Sequence, residues 1–151
     1  MNAASDKLSL PPAGRVLYTA RVHTTGGRDG GNSRSDDARL VVHHSIPGKP
    51  GDGTNPEQLF AAGWSACFEG AMGVVAQKMK VKLPPETAID AEVDLVLGSD
   101  GYSIQARLDI TVPGMAPELA QAIVDAAEQT CPYSKATRGN INSVIRLNRN
   151  P

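Results

Sequence analysis

Residues 55–79, NPEQLFAAGWSACFEGAMGVVAQKM, predict the clearest helix in the sequence. Thr54 or Asn55 can cap its first amide groups, and Pro56 suits the first helical position because its missing N–H would be unpaired there anyway. Glu57 then lies in the first turn, where the helix dipole favours a negative charge. Small residues are frequent along this segment, so neighbouring elements can approach it closely on several sides. The segment is therefore typical of a buried central helix.

Segments of alternating polarity on both sides of this helix predict β-strands. The predicted strands are residues 16–24, 38–45, 88–97, 102–112 and 141–147. Glycine-rich residues 26–31 predict a loop, and residues 98–101 predict a hairpin turn. A second helix is predicted at residues 117–130. Two helices among several strands make the expected fold α+β, with antiparallel sheets around a central buried helix.

The bulk composition is that of one globular domain. The chain has 151 residues, of which 40% are hydrophobic and 21% are charged. We expect residues 1–15 to form a flexible arm and residues 16–151 to form the domain. The formal net charge of -1 gives no general attraction to nucleic acid or an anionic membrane. Because we find neither an apolar run near the roughly 20 residues of a membrane helix nor a secretory signal, we expect a cytoplasmic protein.

The chain has two cysteines, Cys67 in the first helix and Cys131 just after the second. Two cysteines exclude a disulfide scaffold and a four-cysteine zinc site within one chain. In the cytoplasm, disulfides are rare unless they are transient and catalytic. Both residues could equally be small buried hydrophobic side chains, and the two positions alone leave that choice open.

Histidines offer an alternative site, as metal ligands or as bases for a cysteine nucleophile. His43 and His44 are adjacent on a predicted strand, so their side chains point to opposite faces and cannot easily converge on one ion. His23 lies on a separate predicted strand. We therefore predict structural roles for all three and no metal site.

Three segments of the chain resemble the organic hydroperoxide resistance proteins, within the osmotically inducible protein C superfamily. Residues 54–68, TNPEQLFAAGWSACF, are similar to the first signature of the family, and residues 131–141, CPYSKATRGNI, are similar to the second. The loop TTGGRDG at residues 24–30 is the third match. The resemblance covers nearly the whole chain from Val16 onward. Two positions depart from the pattern: Lys135 stands in place of asparagine, and Trp64 in place of the common tyrosine.

The resemblance implies a homodimeric peroxidase that reduces organic hydroperoxides to alcohols. It implies that Cys67 attacks the peroxide and that Cys131 resolves the oxidised thiol as a disulfide. Arg28 and Glu57 align with the arginine and glutamate that prepare the reactive cysteine. The family pattern also implies an intertwined homodimer with active sites at the subunit interface, no bound cofactor, and dihydrolipoamide or a lipoylated protein as the reductant.

Elementary chemistry is consistent with these roles. A free thiol has a pKa near ~8.5, and a guanidinium favours the reactive thiolate. Glu57 can orient Arg28 through a two-point hydrogen bond. However, Glu57 and Cys67 are ten positions apart, hence about 15 Å along one helix and roughly 80° around it. If that helix is continuous, the glutamate and arginine that serve Cys67 should come from the second subunit.

Three other interpretations remain open at this point. The first is the sister subgroup of the same superfamily, with a different peroxide preference, although residues 55–58 and the doublet at residues 132–133 favour the first subgroup. The second is a redox-sensing interaction protein, which the absence of a basic stretch disfavours. The third is a structural protein whose thiols are inert.

Overall fold

The computed structural model describes residues 13–149. The predicted arm at residues 1–15 lies almost entirely outside this range. The elements in chain order are β1 (Val22–Thr25), β2 (Asn32–Ser35), β3 (Val41–His43), α1 (Pro56–Lys78), β4 (Ala88–Gly98), β5 (Gly101–Thr111), α2 (Pro117–Thr130), α3 (Pro132–Thr137) and β6 (Asn142–Leu147). The α+β prediction is therefore confirmed.

Helix α1 begins where its local sequence predicts. The Asn55 side chain caps it by accepting a hydrogen bond from the Gln58 N–H at 2.9 Å, and Pro56 occupies the first turn. Glu57 also lies in the first turn, and Lys78 lies in the last, so both charges complement the helix dipole. The helix is continuous for 23 residues.

The expectation that no apolar run approaches the length of a membrane helix is wrong for α1. Within residues 13–149, this single helix is long and apolar enough to cross a membrane by length and composition. Its packing accounts for that composition, since Trp64, Phe68 and Met72 are at most 1% exposed inside the domain. We therefore interpret α1 as the core helix of the domain.

The core lies between the two long helices and the inner face of the second sheet. That sheet contributes Leu108 and Ile110, which pack with Phe68 and Met72 of α1 and with Ile123 of α2. All five side chains are at most 1% exposed. Burying a side chain of this size contributes about 1.5–3 kcal/mol to stability.

Among residues 13–149, six strands form two three-stranded sheets, ordered β1-β2-β3 and β4-β5-β6. The first sheet is antiparallel, and β4 pairs with β5 in an antiparallel hairpin that closes at Gly98 and Gly101, as predicted. In contrast, β6 pairs with β5 in parallel, so the predicted antiparallel pairing does not extend to this strand. The chain passes through α2 and α3 between these two strands, which is the long crossover that parallel pairing requires.

The first sheet differs most from the sequence-based expectation. Residues 16–21 were predicted as strand, but the strand begins at Val22. Strand β2 was not predicted, because its sequence NSRS has little of the β-branched or aromatic character typical of strands. Strand β3 covers only the middle of the predicted residues 38–45.

The outer face of the second sheet carries an ionic cluster that makes stability depend on pH. Arg107 of β5 donates two hydrogen bonds to Asp94 of β4, at 2.8 and 2.9 Å, and Gln105 donates a third at 2.6 Å. These contacts, the Arg107 hydrogen bonds foremost, lower the pKa of Asp94 to about 2. In the unfolded chain, Asp94 has the ordinary aspartate pKa of about 3.9. The stability that the ionised Asp94 contributes is therefore fully present above about pH 3.9 and is lost as the pH falls toward 2.

We expect the Asp94→Asn variant to be less stable than the wild type at pH 6 and nearly equal to it at pH 2. Urea unfolding of both proteins across this range measures the difference in the free energy of unfolding. Asp37, whose pKa is lowered by bonds to Ser35 and the Arg39 N–H, provides the control variant Asp37→Asn for an exposed carboxylate. If the wild type kept the same excess in free energy of unfolding over Asp94→Asn down to pH 2, the difference would not come from ionisation of Asp94.

Candidate functional site

The fold brings the two cysteines together. Cys67 is partly buried near the middle of α1, whereas Cys131 is completely buried at the junction of α2 and α3. Cys67 packs against the core cluster that contains Cys131, and the Cys131 side chain is one of the groups that raise the pKa of the Cys67 thiol, so the two free thiols are neighbours. The Cys131 N–H bonds the Ala127 carbonyl at 2.8 Å, which fixes its place at the end of α2. Two residues distant in sequence therefore form one dithiol.

The surroundings of Cys67 in one chain favour the neutral thiol. Burial raises the pKa of the Cys67 thiol, a hydrogen bond from the Tyr133 backbone lowers it in part, and the Cys131 side chain raises it further. Neither Arg28 nor Glu57 is among the groups that shift this pKa. Among residues 13–149 of one chain, no cation is therefore among the groups that would stabilise the Cys67 thiolate.

Arg28 and Glu57 form the ion pair that the sequence predicted. The Arg28 Nη1 and Nη2 groups donate to the two Glu57 carboxylate oxygens at 3.1 and 2.8 Å, a bidentate geometry. The Glu57 side chain is 15% exposed, and that of Arg28 is 39% exposed. The hydrogen bonds from Arg28 lower the pKa of Glu57, so the carboxylate stays ionised and holds the guanidinium in a fixed orientation.

The loop that carries Arg28 depends on its glycines. Gly26 has a φ of 74°, in the region that disfavours side chains. A Cβ atom at Gly31 would lie 2.2 Å from the Gly27 carbonyl oxygen and 2.3 Å from that of Thr25. No side chain fits at position 31, so the glycine-rich sequence directly sets the position of Arg28.

One short segment connects this loop to the start of α1. The His44 N–H donates to the Gly31 carbonyl at 2.8 Å, and the His44 carbonyl accepts from Gly30 at 3.1 Å. On the other side, Thr54 donates to the His43 carbonyl at 2.8 Å. These backbone hydrogen bonds help to align Arg28 with Glu57 on the first turn of α1.

His43 and His44 make the structural contacts that the sequence predicted. His43 is exposed and bonds Asn32 at 3.0 Å, whereas His44 is buried and its Nε2 bonds the Ser33 hydroxyl at 2.8 Å. Their side chains lie on opposite faces of the strand. Between residues 13 and 149, no group of three or more His, Cys, Asp or Glu side chains is placed to hold a metal ion.

The ion pair and the dithiol do not share a pocket within one chain. Arg28 and Glu57 line a cavity of about 520 Å³ together with Gln58, Ala61 and residues of β4 and β5. Cys67 is not among the residues that line this cavity. The continuous helix α1 separates the two groups, as its geometry requires.

Two contacts beside the cysteines were not predicted. The Tyr133 backbone bonds Cys67, and the buried Ser134 hydroxyl accepts a hydrogen bond from the Trp64 indole at 3.1 Å. Both residues belong to α3, which was not predicted as a helix. Pro132 directly after Cys131 is the available signal, because proline is favoured in the first turn of a helix.

The fold and the site together define an α+β domain built around a tertiary dithiol. The family model described as OsmC-like protein matches residues 48–146, which include both cysteines and Glu57. The chain therefore belongs to the OsmC-like family and, by the relatives that follow, to its organic hydroperoxide resistance proteins.

Named relatives are similar along almost their whole length. The chain is 51% identical to the organic hydroperoxide resistance protein of Xanthomonas axonopodis pv. citri (strain 306), over 88% of this chain and 96% of the relative. It is 42% identical to the organic hydroperoxide resistance protein OhrB of Bacillus subtilis (strain 168), over 87% and 98%. The crystal structure of the latter protein has a TM-score of 0.82, at 39% identity, and covers 88% of this chain and 100% of its own. An organic hydroperoxide resistance protein from Elizabethkingia anophelis gives a TM-score of 0.82 at 38% identity, over 90% and 99%.

Proposed function

We propose that this protein is a thiol-dependent peroxidase that reduces organic hydroperoxides to alcohols and protects against organic peroxide stress. The observation that carries the proposal is the proximity of the two thiols: Cys67 packs against the core cluster that contains the buried Cys131, and Cys131 is one of the groups that raise the pKa of Cys67. A thiol in that position can be oxidised and then resolved without a large movement. The names of the similar proteins indicate the class of substrate.

The reaction needs two steps. The Cys67 thiolate attacks the outer peroxide oxygen, the O–O bond breaks, and the leaving alkoxide takes a proton to become the alcohol. Cys67 is then a sulfenic acid, which condenses with the Cys131 thiol to give a disulfide and one water molecule. A dihydrolipoyl dithiol, as dihydrolipoamide or on a lipoylated protein, reduces this disulfide by thiol exchange, so no bound cofactor is required.

The thiolate requires a positive charge, and the described part of a single chain places none among the groups that shift the pKa of Cys67. We infer that Arg28, held by Glu57, comes from the second subunit of a homodimer. Two α1 helices in antiparallel orientation across a two-fold axis would bring the first turn of each helix to the middle of the other. The separation of the ion pair from Cys67 along one continuous helix supports this arrangement.

The surface of one chain is consistent with an intertwined homodimer. Val16, Leu17 and Tyr18 are 75%, 81% and 76% exposed, although the sequence predicts a strand there. A β-prone segment with exposed apolar side chains is suited to pairing with another chain. Ala62 and Ala66 are exposed as well, so one face of α1 is uncovered in a single chain. We place the protein in the cytoplasm, where a reduced dithiol is the resting state.

One equivalent of cumene hydroperoxide should convert the reduced protein to the disulfide form. We expect rapid loss of both free thiols and about two mass units by intact mass spectrometry. Hydrogen peroxide at the same concentration should react more slowly, because it offers no apolar group to the hydrophobic cluster against which Cys67 packs. Free thiols that persist after this treatment would refute the peroxidase function, and a faster reaction with hydrogen peroxide would indicate the sister subgroup.

A further inference from the structure

We propose that the hydrogen bond between Trp64 and Ser134 is a positioning device for the second step of the reaction. By holding α3 against α1, it keeps Cys131 where it can capture the Cys67 sulfenic acid before a second peroxide molecule does. Trp64 and Ser134 are positioning residues in this inference, since they act through Cys131. The inference rests on the proposed function.

The bond joins equivalent points on the two elements that carry the thiols. Trp64 lies three residues before Cys67 on α1, about one helical turn away, and Ser134 lies three residues after Cys131. The indole Nε1 donates to the serine Oγ at 3.1 Å. Trp64 is 1% exposed and Ser134 is 3% exposed, so water cannot replace either partner. Breaking this bond would leave a buried polar group unpaired.

A second set of contacts seats the same short helix. Tyr133 packs against Gly63, where an added Cβ atom would lie 2.8 Å from the phenolic oxygen. The Phe60 ring meets the Tyr133 ring edge-on at 6.0 Å and the Trp64 ring at 5.8 Å. The Tyr133 backbone also bonds Cys67 directly. The contacts that hold α3 against α1 therefore also set the positions of the two thiols.

The position of α3 matters because a sulfenic acid has two competing fates. It can condense with the Cys131 thiol, giving the disulfide and water, or it can reduce a second hydroperoxide to an alcohol and become sulfinic acid. Only the first fate depends on how often Cys131 lies beside Cys67. Loosening α3 should therefore change the ratio of the two products much more than the rate of the initial attack, on which α3 acts only through the Tyr133 backbone.

The test measures this ratio in Ser134→Ala and in the wild type. Reduced full-length protein is mixed with increasing cumene hydroperoxide, and intact mass separates the disulfide (a loss of about 2 mass units) from the sulfinic acid (a gain of about 32). We expect Ser134→Ala to reach equal amounts of both products at a roughly three- to tenfold lower peroxide concentration. The rate at which Cys67 first reacts should stay within about twofold of the wild-type rate.

Thr137→Val is the matched control. Thr137 is a second buried hydroxyl of α3, but its bonds at 2.9 and 3.3 Å go to carbonyls of α3 itself. We expect the wild-type product ratio from this variant. The double variant Trp64→Phe/Ser134→Ala should shift it no further than Trp64→Phe alone, because both changes remove one interaction.

The possible outcomes distinguish a failure of the positioning role from a failure of the proposed function. A wild-type ratio in Ser134→Ala, or an equal shift in Thr137→Val, would overturn the positioning role while leaving the peroxidase function intact. A wild-type protein that forms no disulfide at any peroxide concentration would overturn the proposed function and this inference together.

Discussion

Replacing Cys67 with serine is expected to lower the rate of organic hydroperoxide reduction by at least about a thousandfold. The serine side chain is similar in size to that of cysteine, but its hydroxyl remains protonated at neutral pH and forms no sulfenic acid. The Cys131 thiol does not substitute, because it is completely buried. Consumption of cumene hydroperoxide with excess dihydrolipoamide measures the rate. The variant should also keep its single free thiol after exposure to one equivalent of peroxide.

Cys131→Ser separates the two thiol roles. This variant should react with the first equivalent of peroxide as the wild type does, because Cys67 is intact. It should then form no intramolecular disulfide and should accumulate sulfinic acid when peroxide is in excess. If Cys131→Ser lost the first reaction while Cys67→Ser retained it, the two roles would be reversed. If both variants kept wild-type turnover, neither thiol would be the nucleophile.

Elements whose ends are set by local chemistry were predictable from the sequence. Helix α1 starts with the Asn55 cap and Pro56 as predicted, and it ends within one residue of the expected position. The bounds of α2 and the turn at residues 98–101 also agree with the prediction. In each case neighbouring residues provide the signal, because caps, prolines and glycines act within one turn.

Elements whose partners are distant in sequence were not predictable in this way. The parallel pairing of β6 with β5 depends on the path of α2 and α3, and no residue of β6 encodes its direction. Strand β2 forms because β1 and β3 pair with it on both sides, despite its polar sequence. Residues 16–21 have β propensity, but within one chain the first sheet begins at Val22.

Some residues of the candidate site could likewise be predicted from the sequence, and others could not. The roles of the two cysteines and the pairing of Arg28 with Glu57 were implied by the family resemblance of residues 24–30, 54–68 and 131–141, and the chemistry of these side chains is consistent with it. Tyr133 and Ser134 could not be predicted, since one contributes a backbone group and the other a hydroxyl aimed at Trp64. Such roles depend on where α3 lies in the fold, which composition does not reveal.

The proposed sharing of Arg28 between subunits leads to the last prediction, that two inactive variants restore activity when mixed. A dimer of one Cys67→Ser chain and one Arg28→Gln chain has one complete site if the arginine acts across the interface. That site combines Cys67 of the second chain with Arg28 of the first. If Arg28 served Cys67 of its own chain, both sites of the mixed dimer would be defective. Glutamine at position 28 retains a hydrogen-bonding group for the mostly buried Glu57 carboxylate, which limits loss of stability.

Refolding the two variants together in equal amounts should therefore give about one quarter of the wild-type activity. Half of the dimers are mixed after random association, and each mixed dimer has one of its two sites intact. Cys67→Ser refolded with Cys131→Ser is the matched control, and it should recover no turnover, because the two thiols that contact each other belong to one chain. Activity in this control but not in the test mixture would mean that the subunits share the thiols, with Arg28 acting within its own chain. Activity in the test mixture alone requires the arrangement in which each α1 helix carries the nucleophile of one site and the arginine-binding glutamate of the other.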